Sequence, residues 1–141
     1  MITRLARVTI YVRDQDEAMR FYTETLGLEK RADVMFGPGA RWLTVAPAGQ
    51  RDVEILLQSG VPAMHGEEFA RTISERVGQS STWVFFSDDC RGDYETLKGR
   101  GVTFSSAPQD QPYGVEAVFQ DLYGNSFSLL QPAPTPEAPT N

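Results

Sequence analysis

Short stretches of alternating hydrophobic and polar residues run along the chain, and each half also contains one helix-type pattern. Residues Arg7–Val12 alternate with the period of a half-buried β-strand. Asp14 then offers a helix N-cap, Glu17 follows three residues later as in a capping box, and Gly27 stands where a helix would end. The apolar residues of one helical face are Ala18, Phe21, Tyr22 and Leu26. The pattern predicts a strand followed by one amphipathic helix.

The same order of elements returns in the second half of the chain. Thr82–Phe86 is strand-like, Asp89 can cap a helix, and Gly101 can end it. Aligning the two halves places Thr82 on Arg7 and Ser128 on Glu54. The repeat predicts an α+β fold, with two βαβββ modules in tandem that form a concave mixed-sheet cleft. Three strand-like stretches follow each helix, at residues 29–36, 41–46 and 52–57 in the first half and 102–105, 115–120 and 126–130 in the second.

These modules predict a single domain over residues 1–131, because each module alone would expose an apolar sheet face. Module one spans about 4–58, a crossover spans 59–80, and module two spans about 81–131. Phe69, Ile73 and Val77 recur every four residues and predict a short amphipathic helix in the crossover. The Pro-rich residues 132–141 carry little to bury and predict a disordered tail.

Composition excludes several classes of partner. The 141 residues carry a formal net charge of -6 without a cluster of Lys and Arg, which argues against nucleic acid and against an anionic membrane surface. Cys90 is the only cysteine, so no intrachain disulfide can form. The N-terminal stretch is charged and lacks the apolar segment of a signal peptide, and no apolar run is long enough to span a bilayer. We therefore expect a soluble, cytoplasmic protein.

Four stretches of the chain resemble the vicinal oxygen chelate superfamily, which includes glyoxalase I, extradiol dioxygenases and bleomycin-resistance proteins. They are VTIYVRDQDEAMRFYTETLGLE, DDCRGDYETLKGRGVTF, PYGVEAVFQD and YGNSFSLLQP. The resemblance covers nearly everything from Arg4 to Pro132 and departs at Leu122, where the family usually has Pro. It implies the paired βαβββ fold and a homodimer with clefts lined by both chains.

The resemblance also implies where a metal would bind, because metal-dependent members take ligands from the first and last strands of each half. Carried onto this chain, the positions are Arg7, Glu54, Thr82 and Ser128. Only Glu54 is a strong candidate, since arginine has no lone pair to donate and hydroxyls are weak ligands without carboxylates. The sole histidine, His65, matches none of these positions and is expected in an exposed loop. We expect no metal and no cofactor.

The alternation of strand side chains predicts which residues line the cleft. If Arg7 faces the cleft, Thr9 and Tyr11 do so as well, whereas Trp83 and Phe85 belong to the core. We expect Arg7 and Glu54 to form an ion pair, which either satisfies the two charges or lets Arg7 hold a ligand oxygen. No catalytic residue is assigned. The register of the strand that contains Trp42 stays open, so Trp42 either faces the cleft or belongs to the core. The expected ligand-binding residues are Arg7, Thr9, Tyr11, Trp42, Glu54, Leu56, Thr82, Val84, Phe86, Tyr113 and Ser128.

Hypotheses from three functional classes follow. The first is metal-independent binding and sequestration of an aromatic, largely apolar small molecule, in the manner of an antibiotic-resistance protein. The alternative is a glyoxalase- or dioxygenase-like enzyme, a lyase, isomerase or oxygenase that uses Glu54 as base or ligand. The third is a scaffold or regulatory subunit with an empty cleft. Whether the protein is an enzyme stays open at this point.

Overall fold

The computed structural model describes residues 1–80 and 82–134, so the predicted tail from residue 135 onward lies outside the described residues. The described chain divides into two compact units. The first comprises Met1–Ser80 together with Leu122–Asn125, and the second comprises residues 82–121 and 126–134. Each unit contains one four-stranded mixed sheet, and the predicted α+β fold of tandem βαβββ modules is confirmed. That the two units form one domain stays a prediction.

The first unit is built on sheet A, in which the strand order is β1-β4-β3-β2. Strand β1 runs parallel to β4, and the other neighbours are antiparallel. None of the helices in the described residues is long and apolar enough to cross a membrane. The elements of this unit are β1 (Arg7–Tyr11), α1 (Gln15–Arg20) with a following π-helical turn (Phe21–Thr25), β2 (Glu29–Met35), β3 (Arg41–Ala46), β4 (Glu54–Gln58), α2 (Pro62–His65) and α3 (Glu67–Glu75).

The capping signals place helix α1 as predicted. The Asp14 carboxylate accepts a hydrogen bond of 3.0 Å from the Glu17 amide, and Gly27 ends the segment with φ of 82°. Of the predicted apolar face, Ala18 and Tyr22 are fully buried. The helix changes to a π-helical turn after Arg20, which alters the angular spacing and leaves the remaining predicted residues of that face half-buried.

The predicted crossover helix is present as α3, but its buried face is different from the predicted one. Ile73 and Val77 are buried as expected, whereas Phe69 is 49% exposed and Ala70 is buried in its place. Ala70 and Ile73 are three residues apart and so share one face of α3, and Val77 follows in the turn after the helix. Phe69 instead packs edge-on against the ring of His65, with 5.7 Å between the ring centroids.

The second unit repeats this plan on sheet B, in which the strand order is β5-β8-β7-β6. The Asp89 side chain caps α4 by accepting a hydrogen bond of 3.0 Å from the Gly92 amide, and Gly101 ends the helix with φ of 89°. Strand β5 runs parallel to β8, as β1 does to β4. The elements are β5 (Trp83–Phe86), α4 (Cys90–Gly99), β6 (Thr103–Gln111), β7 (Gly114–Gln120) and β8 (Ser126–Pro132).

Two strands of sheet B are longer than predicted. The stretch 102–105 is part of a strand that continues to Gln111, because two bulges keep β6 paired with β7. The strand contains Pro108, which is tolerated because β6 lies at the edge of its sheet. Strand β8 ends at Pro132, which pairs with Gly114, so the first residue of the predicted tail belongs to the sheet.

The core of each unit lies on the sheet face that the helices cover. In sheet A, Ile10, Leu43, Val45 and Leu57 are fully buried on that face. In sheet B, Phe85, Phe119 and Phe127 stack with ring centroids 5.1 to 6.4 Å apart. The alternation predicted for β1 and β5 therefore places the core residues correctly, and the remaining strand side chains define the opposite face of each sheet.

Candidate functional site

The strand register of sheet A brings the predicted binding residues of the first unit together on one face. Arg7 is in register with Glu54, and Thr9 is in register with Leu56. Leu56 is also in register with Thr44 of β3, which settles the orientation of Trp42 two residues earlier on the same strand. We call this surface the Arg7 face; its residues are Arg7, Thr9, Tyr11, Trp42, Thr44, Glu54, Leu56 and Gln58.

Arg7 stacks on Trp42 and does not pair with Glu54. The guanidinium carbon lies 5.2 Å from the centroid of the Trp42 ring, and no ion pair joins Arg7 to Glu54 in the described residues. The predicted ion pair is therefore wrong. An exposed ion pair contributes only about 0 to 1 kcal/mol, so a cation–π contact of similar strength can replace it. Stacking leaves the N–H edge of the guanidinium available to a ligand oxygen.

His65 ends helix α2 and lies against the Arg7 face. Its side chain is half-buried, its Nδ1 accepts a hydrogen bond of 3.3 Å from the Val61 amide, and its Nε2 contacts the side-chain amide of Gln58. Gln58 is in register with Tyr11, so the imidazole contacts the end of β4 on the Arg7 face. The prediction of an exposed loop histidine is wrong. No sequence signal connects His65 to Gln58, because their contact depends on the turn that follows β4.

Sheet B presents a second surface, which is largely apolar. Phe86 and Val84 are 76% and 54% exposed, and both point away from the stacked phenylalanine core. Thr82 is exposed and precedes β5. We call this surface the Phe86 face; its residues are Val84, Phe86, Glu116, Val118, Ser128 and Leu130.

The register of sheet B corrects the alignment of the two halves. Ser128 is in register with Val84 and with Val118, so Thr82 lies two residues away from the strand position that corresponds to Arg7. The alignment by sequence followed the two helix caps, and the parallel pairing of β5 with β8 is shifted relative to those caps. The β5 residue beside Ser128 is therefore Val84, which has no polar side chain.

Glu116 is a polar residue of the Phe86 face that the sequence prediction missed. Its Oε2 accepts a hydrogen bond of 2.6 Å from the Ser128 hydroxyl, and its Oε1 accepts one of 2.7 Å from the Tyr113 hydroxyl. The hydrogen bond from Ser128, followed by that from Tyr113, lowers the pKa of the Glu116 carboxyl. Donation to the carboxylate raises the pKa of Tyr113. The alternation in β7 was a usable signal, because Glu116 and Val118 occupy the positions opposite to the core residues of that strand.

The donors present do not fit the metal site that the family resemblance implies. In sheet A the two positions hold Arg7 and Glu54, and in sheet B the neighbours are Val84 and Ser128. One carboxylate and one hydroxyl are too few donors for a stable divalent ion. Residues 1–80 and 82–134 contain no group of three or more His, Cys, Asp and Glu side chains arranged to hold a metal.

Cys90 has the properties of a structural thiol. It is fully buried and its Sγ donates to the carbonyl oxygen of Leu129 at 3.3 Å. Burial raises the pKa of the thiol, which disfavours the nucleophilic thiolate.

Comparisons with known proteins agree with this architecture. The family model described as the glyoxalase/bleomycin resistance protein/dioxygenase superfamily matches residues 4–129. The crystal structure of UcmS2 aligns with a TM-score of 0.81 and 42% identity, covering 92% of this chain and 98% of that one. That of TnmS3, an antibiotic binding protein from Streptomyces sp. CB03234, aligns with a TM-score of 0.76 and 32% identity, covering 94% and 98%. YetH, an uncharacterized protein of Bacillus subtilis (strain 168), is 34% identical over 131 residues, which is 93% of this chain and 100% of that protein. The chain therefore belongs to the glyoxalase/bleomycin resistance protein/dioxygenase superfamily.

Proposed function

We propose that this protein binds and sequesters an aromatic, largely apolar small molecule without a metal ion. The observation that carries the proposal is the Phe86 side chain, which is 76% exposed on a sheet face beside the equally apolar Val84. Exposed apolar patches of this kind mark ligand or protein interaction surfaces. The similarity to TnmS3, an antibiotic binding protein, supports a small-molecule ligand.

The Arg7 face supports the same function with different chemistry. Trp42 offers a flat aromatic surface, and the guanidinium stacked on it leaves N–H donors free for a carbonyl or anionic oxygen. Tyr11 is half-buried and adds apolar area on the same face, whereas Leu56 is only 8% exposed and lies beneath the surface. Small-molecule sites usually combine such apolar surface with a few polar groups that fix orientation. The contact residues that we propose are those predicted from the sequence, some on the Arg7 face and some on the Phe86 face. Thr82 has the least support, because it lies outside β5.

A homodimer is part of this proposal. We propose that both chains line each cleft, so that a second copy shields part of the apolar surface that a monomer would leave in water and leaves Phe86 and Val84 open to the ligand. Sedimentation velocity at micromolar protein concentration measures the oligomeric state directly. A single monomeric species under those conditions contradicts the dimer and leaves the ligand proposal standing.

The test of sequestration is binding followed by recovery of the ligand. Flat aromatic compounds are titrated into the protein while tryptophan fluorescence is recorded, and each bound compound is then re-isolated and analysed by mass spectrometry. We expect saturable quenching and an unchanged compound. Phe86→Ala should weaken binding by about 1 to 3 kcal/mol, the usual cost of losing a buried aromatic anchor. Met35→Ala is the control, because Met35 is also a large exposed apolar residue and the alternation of β2 points it away from the Arg7 face.

The enzymatic alternative is favoured by one observation, which is the state of Glu54. Its side chain is half-buried, and no ion pair to it exists in the described residues, so the carboxylate is available as a general base. In that case Glu54→Gln abolishes turnover, and Phe86→Ala mainly raises KM. Sequestration predicts the reverse order, with Glu54→Gln affecting binding less than Phe86→Ala. A ligand recovered chemically altered, with Glu54 required for the change, contradicts sequestration.

A further inference from the structure

Glu116 is the one residue of the Phe86 face that carries a negative charge. Two hydroxyl groups, one from the neighbouring strand and one from the β6–β7 turn, donate to its two carboxylate oxygens at 2.6 and 2.7 Å. Each oxygen keeps a lone pair after accepting one hydrogen bond. The carboxylate is therefore fixed in direction, half-buried and still able to accept from a further donor.

The strand register places this carboxylate across from the exposed ring of Phe86. Leu130 of β8 is in register with Phe86 on one side and with Glu116 on the other. Neighbouring strands lie about 4.8 Å apart, so the backbones at Phe86 and Glu116 are separated by roughly 10 Å, with the apolar Leu130 between them. A group that sits over Leu130 can therefore contact both the aromatic ring and the carboxylate.

More negative charge lies near the end of β5. An open groove next to Phe86 is lined by Asp88 and by Asp93 of α4, and it borders Phe86 but not Glu116. The chain as a whole carries a net charge of -6, which attracts cations.

We propose that the Phe86 face is a site for an organic cation, a protonated amine attached to an aromatic body, in which Glu116 accepts from the ammonium group and Phe86 packs against the ring system. Ser128 and Tyr113 act as positioning residues that hold the carboxylate. The inference rests on the proposed function and adds the chemical class of the ligand. A metal ion is not the occupant, because a single carboxylate with two hydroxyl neighbours is a poor donor set for one.

Isothermal titration calorimetry with a matched pair of probes tests the proposal. The probes are 2-naphthylmethylamine, which is a cation at neutral pH, and 2-naphthylmethanol, which has the same ring system and no charge. We expect the wild-type protein to bind the amine roughly tenfold more tightly than the alcohol, since hydrogen bonds to charged groups are among the stronger ones. Added salt should lower the affinity for the amine and leave the affinity for the alcohol nearly unchanged.

Three variants distinguish binding at Glu116 from a general attraction of cations to the negatively charged protein. Glu116→Gln keeps the size of the side chain and removes its charge, so the preference for the amine should disappear while the alcohol binds as before. Glu95→Gln removes one charge from an exposed position on α4, away from the Phe86 face, and should leave the preference intact. Tyr113→Phe removes one positioning hydroxyl and should reduce the preference severalfold, with far-ultraviolet circular dichroism unchanged in all three.

The outcomes distinguish this inference from the proposed function. Equal affinities of the two probes for the wild-type protein, or an equal loss in Glu116→Gln and Glu95→Gln, overturn the cation site and leave sequestration of aromatic molecules standing. Failure of both probes to bind the wild-type protein contradicts the proposed function itself. If the wild-type protein prefers the amine and only Glu116→Gln abolishes this preference, the result supports both the cation site and the proposed function.

Discussion

Replacement of Asp33 by Asn should destabilise the first unit by a measurable and pH-dependent amount. The Asp33 carboxylate accepts hydrogen bonds from Arg41 Nε at 2.7 Å and from its second terminal nitrogen at 2.9 Å. Lys30 lies 3.2 Å away, and Arg41 also reaches Asp16 of α1 at 2.7 Å. One guanidinium thus connects β2, β3 and α1. Asp33→Asn removes the charge that holds this bidentate arrangement while keeping the shape of the side chain.

The magnitude follows from the pKa of Asp33. Hydrogen bonding to Arg41, opposed by partial burial and assisted by Lys30, lowers this pKa from 3.8 to about 2. A shift of that size corresponds to at most about 2.4 kcal/mol, at 1.36 kcal/mol for each pKa unit. The Asp33 side chain is 23% exposed, so solvent screening reduces the contribution to about 1 to 1.5 kcal/mol. Because the pKa is lowered in the folded state, this stability is fully present above about pH 4 and is lost as the pH falls through 2.

Urea unfolding followed by circular dichroism measures the effect. At neutral pH the Asp33→Asn variant should unfold with about 1 to 1.5 kcal/mol less free energy than the wild type, and near pH 2 the two proteins should converge. Asp52→Asn is the control, because Asp52 is an exposed carboxylate for which no ion pair is present in the described part of the chain. Equal unfolding energies for the two variants at neutral pH, or a difference that persists at pH 2, refute the assignment of stability to this network.

Two further changes, at Thr44 and Gly78, test the packing of the first unit by urea unfolding, and Gly99→Ala on α4 is the control for the second of them. Thr44→Val should stabilise the protein by about 1 kcal/mol, because Thr44 is fully buried and its hydroxyl has no hydrogen-bond partner among the described residues; an unchanged or lower stability contradicts this. Gly78→Ala should cost at least about 2 kcal/mol, since Gly78 has φ of 82° and an added Cβ would collide with the Tyr123 carbonyl oxygen. Gly99→Ala, where a Cβ meets no atom within 4 Å, should instead stabilise α4 by about 0.5 to 1 kcal/mol, and similar losses in both variants would contradict the steric explanation.

Local chemistry explains which parts of the fold were predictable from the sequence. Asp14 and Asp89 cap their helices through side-chain contacts to residues three positions away, and these contacts depend only on the local sequence. Gly27 and Gly101 end the helices in a conformation that glycine adopts readily. The period of two in β1 and β5 likewise separates the core from the opposite face without knowledge of any partner strand.

Most of the features that the sequence left open depend on which strand lies beside which. The orientation of Trp42 follows from the pairing of Thr44 with Leu56, and the neighbour of Ser128 follows from the pairing of β5 with β8. The contact of Arg7 with Trp42 joins residues on strands that β4 separates, so no spacing along the chain indicates it. Strand β6 was underestimated because bulges let polar residues and Pro108 remain in a strand that lacks regular alternation.

The register also explains how a family fold can change its chemistry without changing its backbone. Parallel pairing of the first and last strands of a module brings two side chains together, whatever those residues are. Here sheet A places an arginine beside a glutamate, and the arginine stacks on Trp42; sheet B places a valine beside Ser128, and the serine donates to Glu116. Neither pair supplies a full set of metal donors, and each pair contacts either an aromatic platform, Trp42, or a fixed carboxylate, Glu116. These are groups that recognise an organic ligand by stacking and charge, which is why we favour binding over metal-dependent catalysis.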